Sequence, residues 1–331
     1  MSQYKGDTRI LLIQTAFIGD AILATALLES IANAYQTKVD ILVRKGNGIF
    51  FENNPNVGQL LIWDKKGSSG KYKSLLKLIK TVKGNRYHTI INLQRFAATG
   101  LLTALSGAKQ KVGFSQNPLS AFYTHKIKHR IAENFHEVDR NFELLSLINK
   151  EAKNLAPKLY IDQNTANSIQ QYQSDKYICI FPGSVWFTKR LSTDKWVELI
   201  NQIPENIKVF FLGAPDDKSL AQEIMDKAEH KNSHNLCGQL NLLQSAALGK
   251  DALINYCNDS APVHFLSAVN ARVETFFLST SPIFGFYPIS EHAKVRQAYN
   301  LNCKPCGMIG KKECPEGHFR CNLEVDTKLN L

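Results

Sequence analysis

"ILLIQTAFIGDAILATALLESI" occupies residues 10–31 and is apolar almost throughout, yet it carries a carboxylate near its middle, Asp20. A membrane-spanning helix needs ~20 unbroken apolar residues. Here Asp20 splits the run and Glu29 ends its second part. A secretory leader is a poor match as well, since the acid lies inside the apolar core and no clean cleavage site follows. The remaining reading is strand, loop, helix. Ile10–Ile13 is a short β-rich run, "QTAFIG" turns the chain, and Leu23, Leu27, Ile31 and Ala34 recur at helical spacing. Asp20 then stands at a helix N-terminus, at the carboxyl end of a strand, where open α/β sheets bind their ligands. The plainer alternative is a helix cap, because orphan amides and the helix dipole favour an acid there.

The same alternation of short apolar runs and helical patterns continues along the chain, as parallel α/β sheets require. Strands are expected at 10–13, 39–43, 59–62 and 89–93, then at 177–181, 207–212, 252–256 and 272–278. Helical stretches fall at 73–83, 194–203, 218–229 and 262–269. The polar segment 156–176 separates the two series and carries the domain boundary, giving units 1–160 and 161–331. Two Rossmann-like domains facing a central cleft would suit two substrates, one per domain. The glycine fingerprints of dinucleotide and phosphate-loop sites are missing, which disfavours an NAD-dependent dehydrogenase or an NTPase.

Charge separates the halves further. Residues 1–155 hold 22 Lys+Arg against 11 Asp+Glu, whereas residues 156–331 hold 18 of each. The whole excess of +11 therefore lies in the first half, which points to an anionic partner there. It is densest in residues 64–95, with nine basic residues against Asp64 alone. A solvated lysine face would look the same. Seven cysteines in 331 residues fit a reducing cytoplasm better than a disulfide framework.

Three constellations in the second half carry chemistry. In "ICIFPGSVWFTKRLSTDKWVELI" (178–200) a strand ends at Pro182-Gly183-Ser184, followed by Thr188, Lys189 and Arg190. Close backbone approach at Gly183, hydroxyls at Ser184 and Thr188 and the Lys189 charge are parts of a diphosphate site, or of an ordinary solvated loop. In "FFLGAPDDKSLAQEI" (210–224) Asp217 opens a helix after a strand end, where an acid can accept from ribose hydroxyls or merely start the helix. In "DALINYCNDSAPVHFLSAVNARVETFFLSTSP" (251–282) a strand delivers Asn258, Asp259 and Ser260 to a helix begun by Pro262, with His264 in its first turn. So many polar groups at one strand end are hard to explain by packing.

Together these stretches resemble glycosyltransferase family 9, the bacterial heptosyltransferases of lipopolysaccharide core assembly. "ILLIQTAFIGDAIL" is similar to the family's Ile-Gly-Asp start, and "FPGSVWFTKRLSTDKWVELI" to its Pro-Gly-Ala/Ser…Thr-Lys-Arg-Trp segment. "GAPDD" is similar to Gly-x-Pro-x-Asp/Glu, and "NDSAPVHFLSAVNARVETFF" to Asp-Ser/Thr-Gly-Pro-x-His-x-x-Ala-Ala. "HEVDRNFELL" (136–145) and the tail "CKPCGMIGKKECPEGHFRC" also resemble family segments.

The resemblance implies an α/β GT-B fold and an inverting glycosyltransferase that needs no metal or other cofactor. It implies a nucleotide-sugar donor, typically ADP-heptose, on the C-terminal domain, and a phosphorylated lipid-linked sugar acceptor on the N-terminal one. Asp20 matches the general base, Lys189 the basic residue on the donor diphosphate, and Asp217 the ribose-binding acid. Asp259 and Ser260 match residues on the donor's sugar and phosphates, with His264 beside them, while Gly183, Ser184 and Thr188 complete the donor loop. The basic first half then suits the acceptor and an anionic membrane surface, with Lys65, Lys66 and Arg95 as acceptor contacts and no nucleic acid involved. A cytoplasmic enzyme held peripherally at the inner face of the inner membrane follows. Two departures stand out: Ala261 where the family has Gly, and Leu191 where Trp is common. Two alternatives share some of these features: another GT-B enzyme such as a nucleotide-sugar epimerase, and a nucleic-acid-binding protein. The second wants aromatics among the basic residues, and residues 64–95 offer Tyr72 and Tyr87. Finally, Cys303, Cys306, Cys314 and Cys321 run as C-x₂-C-x₇-C-x₆-C, a structural spacing that also allows a tetrahedral zinc.

Overall fold

The computed structural model describes residues 9–65 and 70–331. The chain divides into two compact units, Met1–Tyr160 and Ile161–Leu331. The first contains β1 (Ile10–Gln14), α1 (Ile18–Tyr35), β2 (Val39–Arg44), β3 (Val57–Trp63), α2 (Gly70–Gly84), β4 (Thr89–Asn92), α3 (Ala97–Leu105), β5 (Gln110–Phe114), β6 (His125–Ile127) and α4 (Glu137–Ser146). Its six parallel strands are ordered β3-β2-β1-β4-β5-β6. With both faces covered, central strands read as unbroken apolar runs rather than alternating ones. Accordingly every residue of β1 is buried, and Leu12 lies between Ile41 and Ile91.

The second unit contains α5 (Gln163–Ile169), β7 (Tyr177–Phe181), α6 (Thr193–Ile200), β8 (Lys208–Phe211), α7 (Lys218–Lys227), β9 (Ser233–Asn235), α8 (Leu242–Lys250), β10 (Asn255–Asn258), α9 (Ala261–Ala268), β11 (Val273–Phe276), β12 (Ala293–Arg296) and α10 (Arg320–Leu323). Its parallel sheet runs β12-β11-β10-β7-β8-β9. Counted from the first strand of each unit, both sheets follow the doubly wound order 3-2-1-4-5-6. The strand order therefore reverses between β1 and β4 in one unit and between β7 and β10 in the other. Ligands bind outside the carboxyl ends of strands at such switch points.

The helix faces follow the apolar spacing. On α2 the residues Leu75, Leu78, Ile79 and Val82 are buried against Leu11, Ile13, Leu42 and Trp63, while Lys73, Lys77, Lys80 and Lys83 are exposed. Each fully buried aliphatic side chain contributes at most ~1.5–3 kcal/mol, enough for four to dock the helix without help from its lysines. Leu191 is buried in the second core beside Trp196, so the departure from Trp there is a matter of packing.

Several elements were not expected from the sequence. The strands β5, β6, β9 and β12 lie toward the sheet margins and contain Gln110, Lys111, His125, Ser233 or Lys294, so no apolar run announces them. The strand expected at 252–256 begins three residues later, because α8 ends only at Lys250. The polar segment 156–176 is not all linker: Asp162 caps α5 by accepting from Thr165 N at 2.7 Å.

Candidate active site

Two groups of polar residues occupy the two switch points, one in each unit. In the first unit Gln14 ends β1, Gln94 lies two residues beyond β4, and their side chains hydrogen-bond each other. Gln14 Oε1 also accepts from Ala16 N at 3.2 Å, and Asn47 Nδ2 donates to Ala16 O at 3.1 Å. These bonds shape the turn that leads into α1. The residue preceding the helix, Phe17, has no side-chain acceptor for the first-turn amides. Asp20, in that first turn, accepts main-chain N–H bonds from Phe17 and from itself. These amides favour the ionised form, but burial, followed by the nearby Glu137 charge, raises the Asp20 carboxyl to about 6 despite them and Arg95. Burial thus outweighs the helix end, which by itself favours the ionised form.

Glu137, the first residue of α4, is 7% exposed. Its Oε2 accepts from Arg140 Nε at 2.7 Å and from His129 Nε2 at 3.2 Å. The other ring nitrogen, Nδ1, faces Arg95 Nη1 at 3.3 Å. Since a guanidinium only donates, Nδ1 accepts and Nε2 carries the proton toward Glu137. Burial alone would push the Glu137 carboxyl up, but the His129 bond and the Arg140 charge outweigh it and hold it below the usual glutamate range. Lys65 Nζ donates to Thr15 O (3.0 Å) and Thr15 Oγ1 (3.2 Å) and lies 4.6 Å from the Trp63 ring centroid. It is thus held at the carboxyl end of β1. Lys66, the other lysine expected to grip an acceptor, lies outside the described residues. Arg95 is exposed just beyond β4.

In the second unit the loops after β7, β8 and β10 converge. Asn258 Nδ2 donates to Pro182 O at 2.7 Å, and Leu191 N donates to Asn258 Oδ1 at 3.0 Å. Ser260 Oγ is 3.4 Å from Gly183 O and 3.3 Å from Asn258 O. Asp217 Oδ2 accepts from Ala214 N at 2.9 Å, and its carboxylate lies against Gly183 and Gly213. A Cβ at Gly183 would fall 2.2 Å from Asp217 Oδ1, so a side chain here would displace the Asp217 carboxylate. Lys189 Nζ pairs with Asp259 Oδ2 at 2.7 Å, and Thr280 Oγ1 donates to the same oxygen at 2.6 Å. Ser184 is partly exposed at the loop, and His264, 7% exposed, packs edge-on to Phe286 at 6.3 Å.

Thr188 is placed differently from the expectation that its hydroxyl would serve a diphosphate. It is 1% exposed, accepts from Lys311 N at 2.8 Å and from Ser279 Oγ at 2.9 Å, and lies 3.3 Å from Lys311 O. Its hydroxyl ties the lysine loop to the tail. Gly310 belongs to the same junction: a Cβ there would come within 2.5 Å of Trp186 Cβ and 2.7 Å of Lys189 Cγ.

Ala261 is the first residue of α9 and is not among the residues with positive φ, so the methyl strains no backbone. Its one consequence is bulk beside Ser260. The tail cysteines are free thiols. Among the described residues no group of three or more His, Cys, Asp or Glu is arranged to hold a metal. Burial first, then neighbouring cysteines, push the Cys321 thiol up to about 11.

The sequence did not single out Glu137, His129, Arg140, Thr280 or Lys311. They reach their sites from distant positions, and no local spacing signals that.

Comparison with known proteins adds an independent line. The profile of glycosyltransferase family 9 (heptosyltransferase) matches residues 75–318. The chain is 25% identical over 288 residues to lipopolysaccharide heptosyltransferase 3 of Escherichia coli K12, covering 80% of this chain and 81% of that protein. It is likewise 25% identical over 281 residues to the lipopolysaccharide core heptosyltransferase OpsX of Haemophilus influenzae, covering 82% and 79%. Among solved structures, the family 9 glycosyl transferase of Veillonella parvula superposes with a TM-score of 0.79 at 22% identity, covering 89% of this chain and 87% of that one. The ADP-heptose lipopolysaccharide heptosyltransferase II of E. coli gives 0.76 at 20% identity, covering 89% and 92%. E. coli heptosyltransferase WaaC with ADP gives 0.69 at 19%, covering 87% and 92%. These likenesses establish the shared GT-B fold.

Proposed function

The chain belongs to glycosyltransferase family 9, the heptosyltransferases, and from that premise we propose that it transfers a heptose from ADP-heptose, with inversion, to a phosphorylated sugar of a lipopolysaccharide core. The observation that carries this reading is Asp20: a partly buried carboxylate beyond β1 at the sheet's switch point, with its proton affinity raised to about 6. A general base works best when its pKa lies near the working pH. Asp20 takes the proton of the acceptor hydroxyl as that oxygen attacks the anomeric carbon. The bond from that carbon to the diphosphate breaks, and Lys189 neutralises charge on the departing ADP. Asp217 meets the ribose; Asp259, Ser260 and His264 surround the donor sugar and phosphates. Support for ADP comes from relatives described with ADP-heptose or ADP.

The first unit takes the acceptor, with Arg95 and Lys65 at the same strand edge as Asp20. No helix among the described residues is long and apolar enough to cross a membrane. The outer face of α2 suits attachment to an anionic inner leaflet from the cytoplasmic side. Beside its exposed lysines it presents Tyr72 at 80% exposure and Leu76 at 64%, and mixed basic and apolar surfaces bind anionic interfaces.

The test is turnover of ADP-heptose with a core acceptor by the parent and by Asp20→Ala. The variant should lose ~10²–10⁴ in kcat and keep its ADP affinity. Near-normal turnover would leave Asp20 only its capping role. Calorimetric titration with ADP, GDP, UDP and dTDP tests the base, and equal affinity for all four would remove the case for adenine.

A further inference from the structure

The helix α4 is packed against α1, and the two run in the same direction: Tyr35, the last residue of α1, hydrogen-bonds Asn149, just beyond the end of α4. Their first turns therefore lie at the same end, the carboxyl edge that also holds Arg95 beyond β4. Here a buried carboxylate, Glu137, is anchored by two donors on one oxygen, Arg140 at 2.7 Å and His129 at 3.2 Å. His129 is itself fixed, edge-on to Phe114 at 4.8 Å and facing Arg95 at 3.3 Å. A carboxylate so bound stays ionised and cannot swing away, so it imposes a fixed negative charge on the first turn of α1.

We propose that Glu137 is a positioning residue of the transfer reaction: clamped by Arg140 and His129, it sets the pH at which Asp20 becomes a base. This rests on the reading of Asp20 as the proton acceptor. The groups facing Asp20 are Glu137, which disfavours its ionisation, and Arg95, which favours it. Those facing Glu137 are His129, Arg140 and Asp20. The arrangement differs from a purely structural ion pair in one respect. Arg140 also donates to Phe135 O at 2.7 Å, which serves the fold alone, whereas the charge on Glu137 is felt at the reacting carboxylate.

The experiment is the pH–rate profile of kcat/KM for the parent, Glu137→Gln, Arg95→Gln and the double variant Glu137→Gln/Arg140→Gln. Removing a neighbouring negative charge eases ionisation of Asp20, so the acid limb of Glu137→Gln should move down by roughly half to one pH unit. Removing the positive charge in Arg95→Gln should move it up. Above pH 8, where Asp20 is ionised in every variant, the effect of Glu137→Gln on the limb vanishes. A structural role would instead lower activity at every pH with the midpoint unmoved, and that result overturns the proposal. Should Glu137→Gln fail to fold because Arg140 is left unpaired, the double variant removes both charges of the buried pair, which proteins often tolerate. It should show a downward shift of smaller size, because the opposing charge of Arg140 leaves with that of Glu137, and an unmoved limb overturns the proposal equally. The reading of Asp20 fails separately: an active Asp20→Ala removes the base itself, whatever Glu137 does.

Discussion

Lys189 is not waiting for the donor as an isolated cation. Its Nζ is 2.7 Å from Asp259 Oδ2, and the two side chains are 15% and 9% exposed. A diphosphate that recruits this lysine exchanges one charge-assisted bond for another or shares it. Such a bond contributes ~1.5–3 kcal/mol when made afresh. The exchange places the net gain at the lower end, ~1.5 kcal/mol, about tenfold in affinity. Lys189→Ala should therefore weaken ADP by about tenfold and leave adenosine unchanged. Asp259→Asn makes the argument two-sided. It frees the lysine and removes a negative charge from beside the phosphates, so ADP should bind severalfold more tightly while sugar transfer falls. Thr280, which donates to the same Asp259 oxygen at 2.6 Å, can remain bonded to the asparagine carbonyl, keeping that side chain oriented. Calorimetry with ADP and adenosine on both variants, alongside thermal melts, reads all four quantities. If Asp259→Asn weakens ADP as much as Lys189→Ala does, the two residues act as a structural pair, and the phosphate role of Lys189 is refuted.

Three further outcomes follow from the geometry. Turnover in the parent should rise with pH through a midpoint near 6, because Asp20 must lose its proton to act and its carboxyl is raised to about 6; a flat rate between pH 5 and 7 would disconnect Asp20 from the chemistry. Gly310→Ala should weaken ADP severalfold without changing adenosine, since the added methyl would press on the Lys189 stem at 2.7 Å; unaltered ADP binding would show that the tail does not position the lysine. Replacing Lys73, Lys77, Lys80 and Lys83 with Gln should release the protein from anionic vesicles, each lysine contributing ~1 kcal/mol near such a surface. Added salt should release the parent likewise, and co-sedimentation unaffected by both treatments would leave α2 an ordinary solvated face.

How far the sequence could be read depended on how local the physics is. The strand–turn–helix around Asp20 was legible because both the apolar run and the helical spacing fall within 22 contiguous residues. The helical stretch at 73–83 within α2 was legible for the same reason. The marginal strands were not: Ser233–Asn235 is wholly polar and becomes a strand only because β8 offers it a ladder. Within the site, residues that follow central strands could be found, since parallel strands deliver their next residues to one edge. Thr188 misled because sequence shows a hydroxyl beside a lysine but not the tail segment at Lys311 that engages it, 123 residues away.

Glu137 shows where the limit lies. Its own stretch, "HEVDRNFELL", opens α4 with acids in the first turn and a capping box between His136 and Asp139. Nothing local separates Glu137 from Asp139 as a carboxylate. What separates them is three-dimensional: Asp139 bonds the His136 amide and Asn154, whereas Glu137 is buried among His129, Arg140 and the field of Asp20. Proton affinity depends on burial and on charges contributed by other elements, and neither is written in the neighbouring residues. The place of Asp20 beyond β1 could thus be read from the chain, but its proton affinity depends on the fold.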